Sequence, residues 1–300
     1  VTSLAAPERL HERVLEWYST AARDLPWRTD EATPWGIFVS EVMLQQTPVA
    51  RVLPVWLEWL ARWPEPADLA AQPPGDAVRA WGRLGYPRRA LRLHAAAVAI
   101  TERFGGMVPG TEAELATLPG VGTYTAAAVS TFAFGQRTTV VDTNVRRVLA
   151  RAVGGDAYAA PSPTRAELVT AAELVPPEPP RARTWSVAVM ELGALVCTSR
   201  SPRCGACPIR DLCAWRLAGS PAHEGPPRRG QAWEGTDRQM RGALLRLLRE
   251  SDGPVSREQI EAVSPLALQR ERCLDSLVAD GLVEPLARDF FQLPGAREAS

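Results

Sequence analysis

Three hundred residues, 46% of them apolar, suffice for two or three domains with complete cores. Thirty-four basic residues balance thirty-four acidic ones. A chain that holds nucleic acid by bulk charge is therefore excluded, and any such face must be a local gathering of arginine. No apolar run approaches membrane-spanning length and the N-terminus carries no apolar leader-like stretch, so the expectation is a soluble, intracellular, cytoplasmic protein with no membrane partner.

Leu- and Ala-rich segments with helical spacing dominate, and alternating strands are scarce before the last sixty residues, which predicts a mainly α fold. Residues 11–18 predict a short amphipathic helix. Leu25-Pro26-Trp27-Arg28 follows, where an indole beside a guanidinium suits a packed or stacking site. The run from Pro34 to Thr47 predicts a helix with Ile37, Glu41 and Leu44 on one face. Apolar neighbours raise a carboxyl pKa, so Glu41 is placed to keep a proton and act as an acid. Gln45, Gln46 and Thr47 carry the amides and hydroxyl needed to read base edges. Tryptophans 56, 59, 63 and 81 are read as helix-packing core. Leu84-Gly85-Tyr86, followed by Arg88, Arg89 and Arg92, suits an aromatic pushed into a duplex while the arginines hold phosphates.

Leu118-Pro119-Gly120-Val121-Gly122 predicts a tight turn whose N–H groups are left uncovered at the start of a helix beginning near Tyr124. Gly120 and Gly122 thereby form an anion site, suited to phosphate. Asp142 stands after an apolar run and at a predicted helix start, partly desolvated yet held ionised by helix N–H groups. Residues 156–183 form a Pro-rich connection with one helix near 164–174, and residues 185–197 an apolar helix bearing Glu191, which can pair with Arg28. Cys197, Cys204, Cys207 and Cys213 have the spacing C-x6-C-x2-C-x5-C, able to close on a metal; four thiolates alone fit either zinc or an iron–sulfur cluster. Arg200, Arg203 and Arg210 decorate that loop.

Residues 218–234 read as a linker, with room for a partner protein to dock. Beyond it, helices are predicted over 237–249, 255–263 and 265–280, and strands over 282–284 and 290–293. That order predicts a small winged-helix-like domain over 235–294, with Arg238, Arg241 and Arg246 available to phosphates and Cys273 in its core.

Three motifs together resemble one family. Ser40-Glu41-Val42-Met43-Leu44-Gln45-Gln46-Thr47, the LPGVG turn with Asp142 behind it, and the four-cysteine loop are similar to the adenine glycosylases of MutY type, within the helix–hairpin–helix superfamily of endonuclease III. The resemblance covers residues 8–217. It implies a helix–hairpin–helix domain over 31–140, a cluster domain from 1–30 and 141–217, and a 4Fe–4S cluster on the four cysteines. It also implies base-excision repair on double-stranded DNA, removing adenine mispaired with 8-oxoguanine or guanine, by a monomeric enzyme. Glu41 would protonate the base and Asp142 stabilise the sugar cation, with Tyr124 and Asn144 positioning them. Trp27, Arg28 and Glu191 would line the base pocket, and Tyr86 and Gln46 fill the gap beside Arg88. Tyr124 replaces the lysine of the strand-cleaving branch, and a phenol forms no imine. Pro87 departs from the second aromatic usual after the Leu-Gly-Tyr wedge, and no Nudix-like domain is legible at the C-terminal end. A thymine or uracil mismatch glycosylase and a non-catalytic DNA-binding module are the two alternatives. Release of free base, and from which target, discriminates them.

Overall fold

The computed structural model describes residues 7–223 and 234–295. The helices run α1 Pro7–Ala21, α2 Pro34–Leu44, α3 Val49–Arg62, α4 Pro66–Ala70, α5 Pro74–Ala80, α6 Arg88–Phe104, α7 Glu112–Leu115 and α8 Thr123–Phe134. They continue with α9 Thr143–Leu149, α10 Arg165–Glu173, α11 Pro179–Leu195, α12 Ala214–Leu217, α13 Asp237–Glu250, α14 Arg257–Ala262 and α15 Ala267–Ala279. Strands β1 Val255–Ser256, β2 Glu284–Leu286 and β3 Phe290–Gln292 form the one sheet of the described residues, antiparallel in the order β1-β3-β2. The mainly α expectation holds.

The chain separates into two compact units. One comprises Val1–Ile37, Gly110–Ala116 and Val121–Pro227; the other comprises Phe38–Pro109, Thr117–Gly120 and Arg228–Ser300.

In the first unit α1, α9 and α11 share a core of Leu10, Val14, Val145, Val148, Trp185, Val189 and Leu192. Its amphipathic stripe turns His11 inward too, where the ring packs edge-on against Trp185 and Nε2 meets the Leu174 carbonyl at 2.8 Å. Helix α8 buries nearly every side chain from Thr125 to Phe132. Alanines at 126–128 leave room for neighbours all round, which is why a helix without a polar face is stable here. Helix α10 starts on a capping box, Thr164 accepting from Glu167 N–H while the Glu167 carboxylate reaches back to the Thr164 N–H.

In the second unit the expected tryptophan core is present: Trp59, Trp63 and Trp81 are all but inaccessible, with Trp59 edge-on to both others at 4.7 and 5.8 Å. Such pairs add about 0.5–1.5 kcal/mol beyond simple burial. The carboxy-terminal segment has the order helix–strand–helix–helix–strand–strand of a winged helix. Two details differ from expectation. Val255–Ser256 is a strand rather than the start of a helix, because Ser256 caps α14 by accepting from Gln259 N–H. The wing strands lie at 284–286 and 290–292, since buried Leu282 and Val283 close the turn after α15 and leave the pairing to later residues. This segment packs on its own unit through backbone-directed contacts. Arg249 donates to the carbonyls of Val78 (2.9 Å) and Gly82 (2.5 Å), Arg79 donates back to those of Arg249 and Ser251, and Gly75 N–H donates to the Pro294 carbonyl at 2.7 Å.

Candidate active site and cysteine loop

Asp142 is the N-cap of α9 with extended backbone, and one oxygen accepts from Val145 N–H at 2.7 Å. The other accepts from Asn144 Nδ2 at 2.7 Å. The direction of the Asn144 amide is set in turn by Arg147, whose Nη2 donates to Asn144 Oδ1 at 2.7 Å and to the Gly193 carbonyl at 2.6 Å, while Nε donates to the Cys197 carbonyl at 2.6 Å. Burial pushes the Asp142 carboxyl above the ordinary aspartate range; the hydrogen bonds from Val145 and Asn144 and the Arg147 charge pull the other way. The result is a carboxylate that is costly to ionise and pre-aimed by two donors, the condition in which a nearby developing cation is most strongly stabilised.

Helix α8 begins at Thr123 with Gly122 as its N-cap, a residue that has no side chain to cap the helix. Gly120 has φ +78° and its Cα faces the Arg92 side chain so closely that a Cβ would stand 2.7 Å from it, so glycine is required twice over. The expected helix start directly after the glycine turn is present. Tyr124, partly buried, packs with Ile37, Ala127 and Phe132.

Glu191 is wholly buried on α11. Arg23 holds it with Nε at 2.6 Å and Nη2 at 2.7 Å, and Arg28 reaches it at 3.0 Å. Burial alone would raise this carboxyl, but the two guanidiniums outweigh it and hold Glu191 below the usual glutamate range. The predicted Arg28 pairing is present; Arg23, the stronger partner, carries no sequence signal beyond being an arginine near Trp27. Trp27 is buried in a one-turn helix, Pro26–Arg28.

In the second unit Glu41 lies 5% exposed on α2. Gln46 and Tyr86 both adopt left-handed backbone, at φ +55° and +48°, and Tyr86 is 45% exposed. Residues other than glycine pay for that conformation, and such costs gather where function demands them. Arg89 joins their two loops from inside. Its guanidinium donates to the carbonyls of Val42, Met43, Gln45 and Gly85 and to Thr47 Oγ1, at 2.6–3.1 Å. Burial drives its pKa down to about 10. The expectation that Arg89 faces phosphates is corrected: position 89 is on the inner side of α6, whereas Arg88 and Arg92 are exposed.

The four loop cysteines carry no disulfide. Arg151, buried in a single π turn over Ala150–Gly154, donates to Cys197 Sγ at 3.4 Å and to the carbonyls of Thr198 and Ser199. Burial raises Cys207 to about 11, and Cys197, Cys213 and Cys204 all add to the rise, so the four sulfurs lie near one another. Among the described residues no three His, Cys, Asp or Glu side chains are gathered tightly enough for one metal ion. Four neighbouring thiols with Arg151 donating to one of them fit a four-thiolate group.

Residues 39–173 match the model of the HhH-GPD superfamily base excision DNA repair proteins, and residues 197–213 match the iron–sulfur binding domain of endonuclease III. An adenine DNA glycosylase of Mycobacterium tuberculosis (strain H37Rv) is 53% identical over 98% of this chain and 96% of its own length. The chain belongs to the adenine DNA glycosylase family. Another member, from Mycolicibacterium smegmatis, is 54% identical over 95% of the chain and 96% of its own length. Among solved structures, a thermostable thymine-DNA glycosylase superposes with a TM-score of 0.64 at 28% identity, covering 71% of this chain and 97% of its own. The cofactor of this family member is a 4Fe–4S cluster. No helix of the described residues is long and apolar enough to cross a membrane.

Proposed function

We propose that this family member hydrolyses the N-glycosidic bond of adenine mispaired with 8-oxoguanine or guanine in double-stranded DNA, leaving the strand uncut. The observation that carries the reading is the Asp142 carboxylate, held on one oxygen by a helix N–H and on the other by Asn144. In the reaction the bond from C1′ to the purine breaks with its electrons going to the base. Glu41 gives the base a proton, Asp142 faces the oxocarbenium-like carbon, and water supplies the oxygen that completes the sugar. Asn144 and Tyr124 position Asp142 and the sugar.

Trp27, Arg28 and Glu191 form the base pocket. Arg28 Nη1 is buried without a hydrogen-bond partner, a donor held for a ligand, and this supports that role. Gly120 and Gly122 take a phosphate at the start of α8, and Gln45, Gln46, Thr47, Tyr86 and Arg88 hold the duplex around the vacated position. Cys197, Cys204, Cys207 and Cys213 hold the cluster, which when bound orders their loop for contact with DNA. The domains are read as 31–140, 1–30 with 141–217, and 235–294, the enzyme as a monomer acting inside the cell. The proposed docking linker, 218–234, lies for residues 224–233 outside the described residues.

Strand integrity has a further support. All thirty-four basic residues are arginine, and the 300 residues include no lysine. No side-chain amine exists to form a Schiff base. The test is single-turnover release of free base from duplexes that differ only in the target base. Glu41→Gln and Asp142→Asn should each lower adenine release by about two to four powers of ten, the range for loss of acid or charge assistance. Near-normal release by either would sink the two-carboxylate mechanism. Preferential release of thymine would support the second reading, favoured by the thymine-DNA glycosylase superposition.

A further inference from the structure

Helix α9 runs on into a single π turn, Ala150–Gly154, a rare geometry that gathers at functional positions. Inside that turn Arg151 is 3% exposed. Its Nη1 donates to Cys197 Sγ at 3.4 Å and to the Thr198 carbonyl at 2.7 Å. Its Nη2 donates to the Ser199 carbonyl at 3.0 Å, and its Nε to that of Ala157 at 2.9 Å. The Trp215 and Tyr158 ring centres lie 5.0 and 5.9 Å from the guanidinium carbon. Cys213 Sγ stands 3.4 Å from the carbonyl oxygen of Arg151 itself. One residue thus touches two of the four loop sulfurs, one by its side chain and one by its backbone.

A buried guanidinium is costly unless an anion stands beside it. None of the ion pairs of the described residues includes Arg151, and its acceptors other than the sulfur are neutral carbonyls. Those carbonyls fix where the guanidinium sits and carry no net charge. The available anion is the cysteine loop, once its thiols ionise to hold iron. Arg147 lies one helical turn earlier and donates to the Cys197 carbonyl at 2.6 Å. The two arginines divide one cysteine between them: the first holds its main chain and the second its sulfur. Arg200, Arg203 and Arg210 on the loop are exposed, so water and salt screen them. Arg151 has no such screening.

We infer that Arg151 is the buried counter-cation of the iron–sulfur cluster, and that its bond to the Cys197 sulfur holds the cluster's reduction potential up. The inference rests on the reading that the four cysteines hold the cluster. Four thiolates outweigh the charge of an iron–sulfide core, so the group is an anion and one added electron makes it more negative. A fixed cation on a ligand sulfur favours the electron-rich state and resists loss of an electron. Burial beneath two aromatic rings keeps that charge in a low dielectric, where it acts most strongly.

The test is a mediated potentiometric titration of the intact holoprotein, followed by visible absorbance and electron paramagnetic resonance. Dithionite supplies the single electron and ferricyanide removes it. Arg151→Gln keeps a donor and loses the charge; Arg151→Met loses both. In each, the ratio of reduced to oxidised cluster at fixed potential should fall about tenfold, a drop of about 59 mV for a one-electron couple. Arg151→Lys should stay within about threefold of the wild type, and so should Arg200→Gln, which removes a screened charge from the same loop.

The sign separates charge from packing. A loop merely loosened by the substitution would admit water, which stabilises the more highly charged state and raises the potential. A rise or no change in the neutral variants therefore overturns the inference, and so does a lysine variant as low as the glutamine one. If the neutral variants take up no iron, uptake becomes the readout. A lysine variant that loads about four irons then supports the inference, and one as empty as the others overturns it. Metal analysis of the wild type decides the cluster reading separately. Zinc in place of iron sinks that reading and this inference with it, whereas four irons with unshifted potentials in the variants sink the inference alone.

Discussion

Arg147 stands between the Asn144 amide and the backbone of Cys197, donating 2.7 Å to the first and 2.6 Å to the second. The Cys197 backbone and the Asp142 carboxylate are thus joined by three consecutive hydrogen bonds that run outward from Arg147 in both directions, since a guanidinium can only donate and so fixes which end of the Asn144 amide faces Asp142. Arg147→Ala should leave that amide free to turn. Its adenine release at saturating duplex should fall by about ten- to a thousandfold, with iron content unchanged by metal analysis. If release stays normal, the polarity of Asn144 does not matter.

On the proposed mechanism the acid side of the pH–rate profile belongs to Asp142. Its carboxyl is raised by burial and lowered by Asn144, and catalysis needs the ionised form. Asn144→Ala removes a donor to that form, so the pKa rises further and the fall in single-turnover rate should begin at higher pH than in the wild type. A shift toward lower pH would contradict the assignment. The same raised value means that Asp142 withdraws folding stability as pH climbs through and beyond the unfolded aspartate range.

Glu191 has the opposite sign. Its carboxyl is held low by Arg23 and Arg28, so it contributes stability that is present above the unfolded glutamate pKa and lost as pH falls through the lower folded value. Arg23→Ala leaves the buried carboxylate with Arg28 as its remaining cation and should cost about 1.5–3 kcal/mol, the worth of hydrogen bonds to a charged group. Denaturant titration at neutral pH measures the loss, which should shrink in acid.

Borohydride should trap no covalent complex between the protein's side chains and an abasic product, because no lysine is present. Tyr124→Lys should introduce trapping and some strand cleavage, provided partial burial keeps the new amine neutral. A side-chain adduct of the wild type, located by peptide mapping, would refute the uncut-strand reading.

Metal analysis should find about four irons per chain, and Cys273→Ser should not change that number, since Cys273 is buried in the carboxy-terminal core and lies outside the four-cysteine motif. One zinc in an active, colourless protein would overturn the cluster assignment.

Much of this molecule is legible residue by residue. Short-range patterns carry it: the glycines of the turn, the aspartate at a helix start, the cysteine spacing and the tryptophan core all express local backbone or packing needs. The illegible part consists of long-range arginine contacts. Arg23 reaches Glu191 across 168 positions and Arg249 reaches Val78 across 171, and no periodicity marks either. Arg89 sits in a run with Arg88 yet points the other way, because adjacent helical positions never share a face. Arg241 was grouped with Arg238 and Arg246 for the same reason of composition, and Asp280 claims it. The two-residue strand β1 escaped because a capping serine ends it before any alternation can show.

Gly193 takes no part in the chemistry, yet a Cβ there would stand 2.6 Å from Asn144 Cβ and 2.8 Å from its carbonyl oxygen. The spacing of α9 and α11 is therefore also the ruler by which the Asp142 carboxylate is aimed. An alanine at this position would push on backbone rather than on a pliable side chain, and the cheapest relief is a small slide of the α9 start. Such a protein would keep its colour and its fold and lose its aim, so a change that looks like a packing fault in a helix would be met as a loss of adenine release.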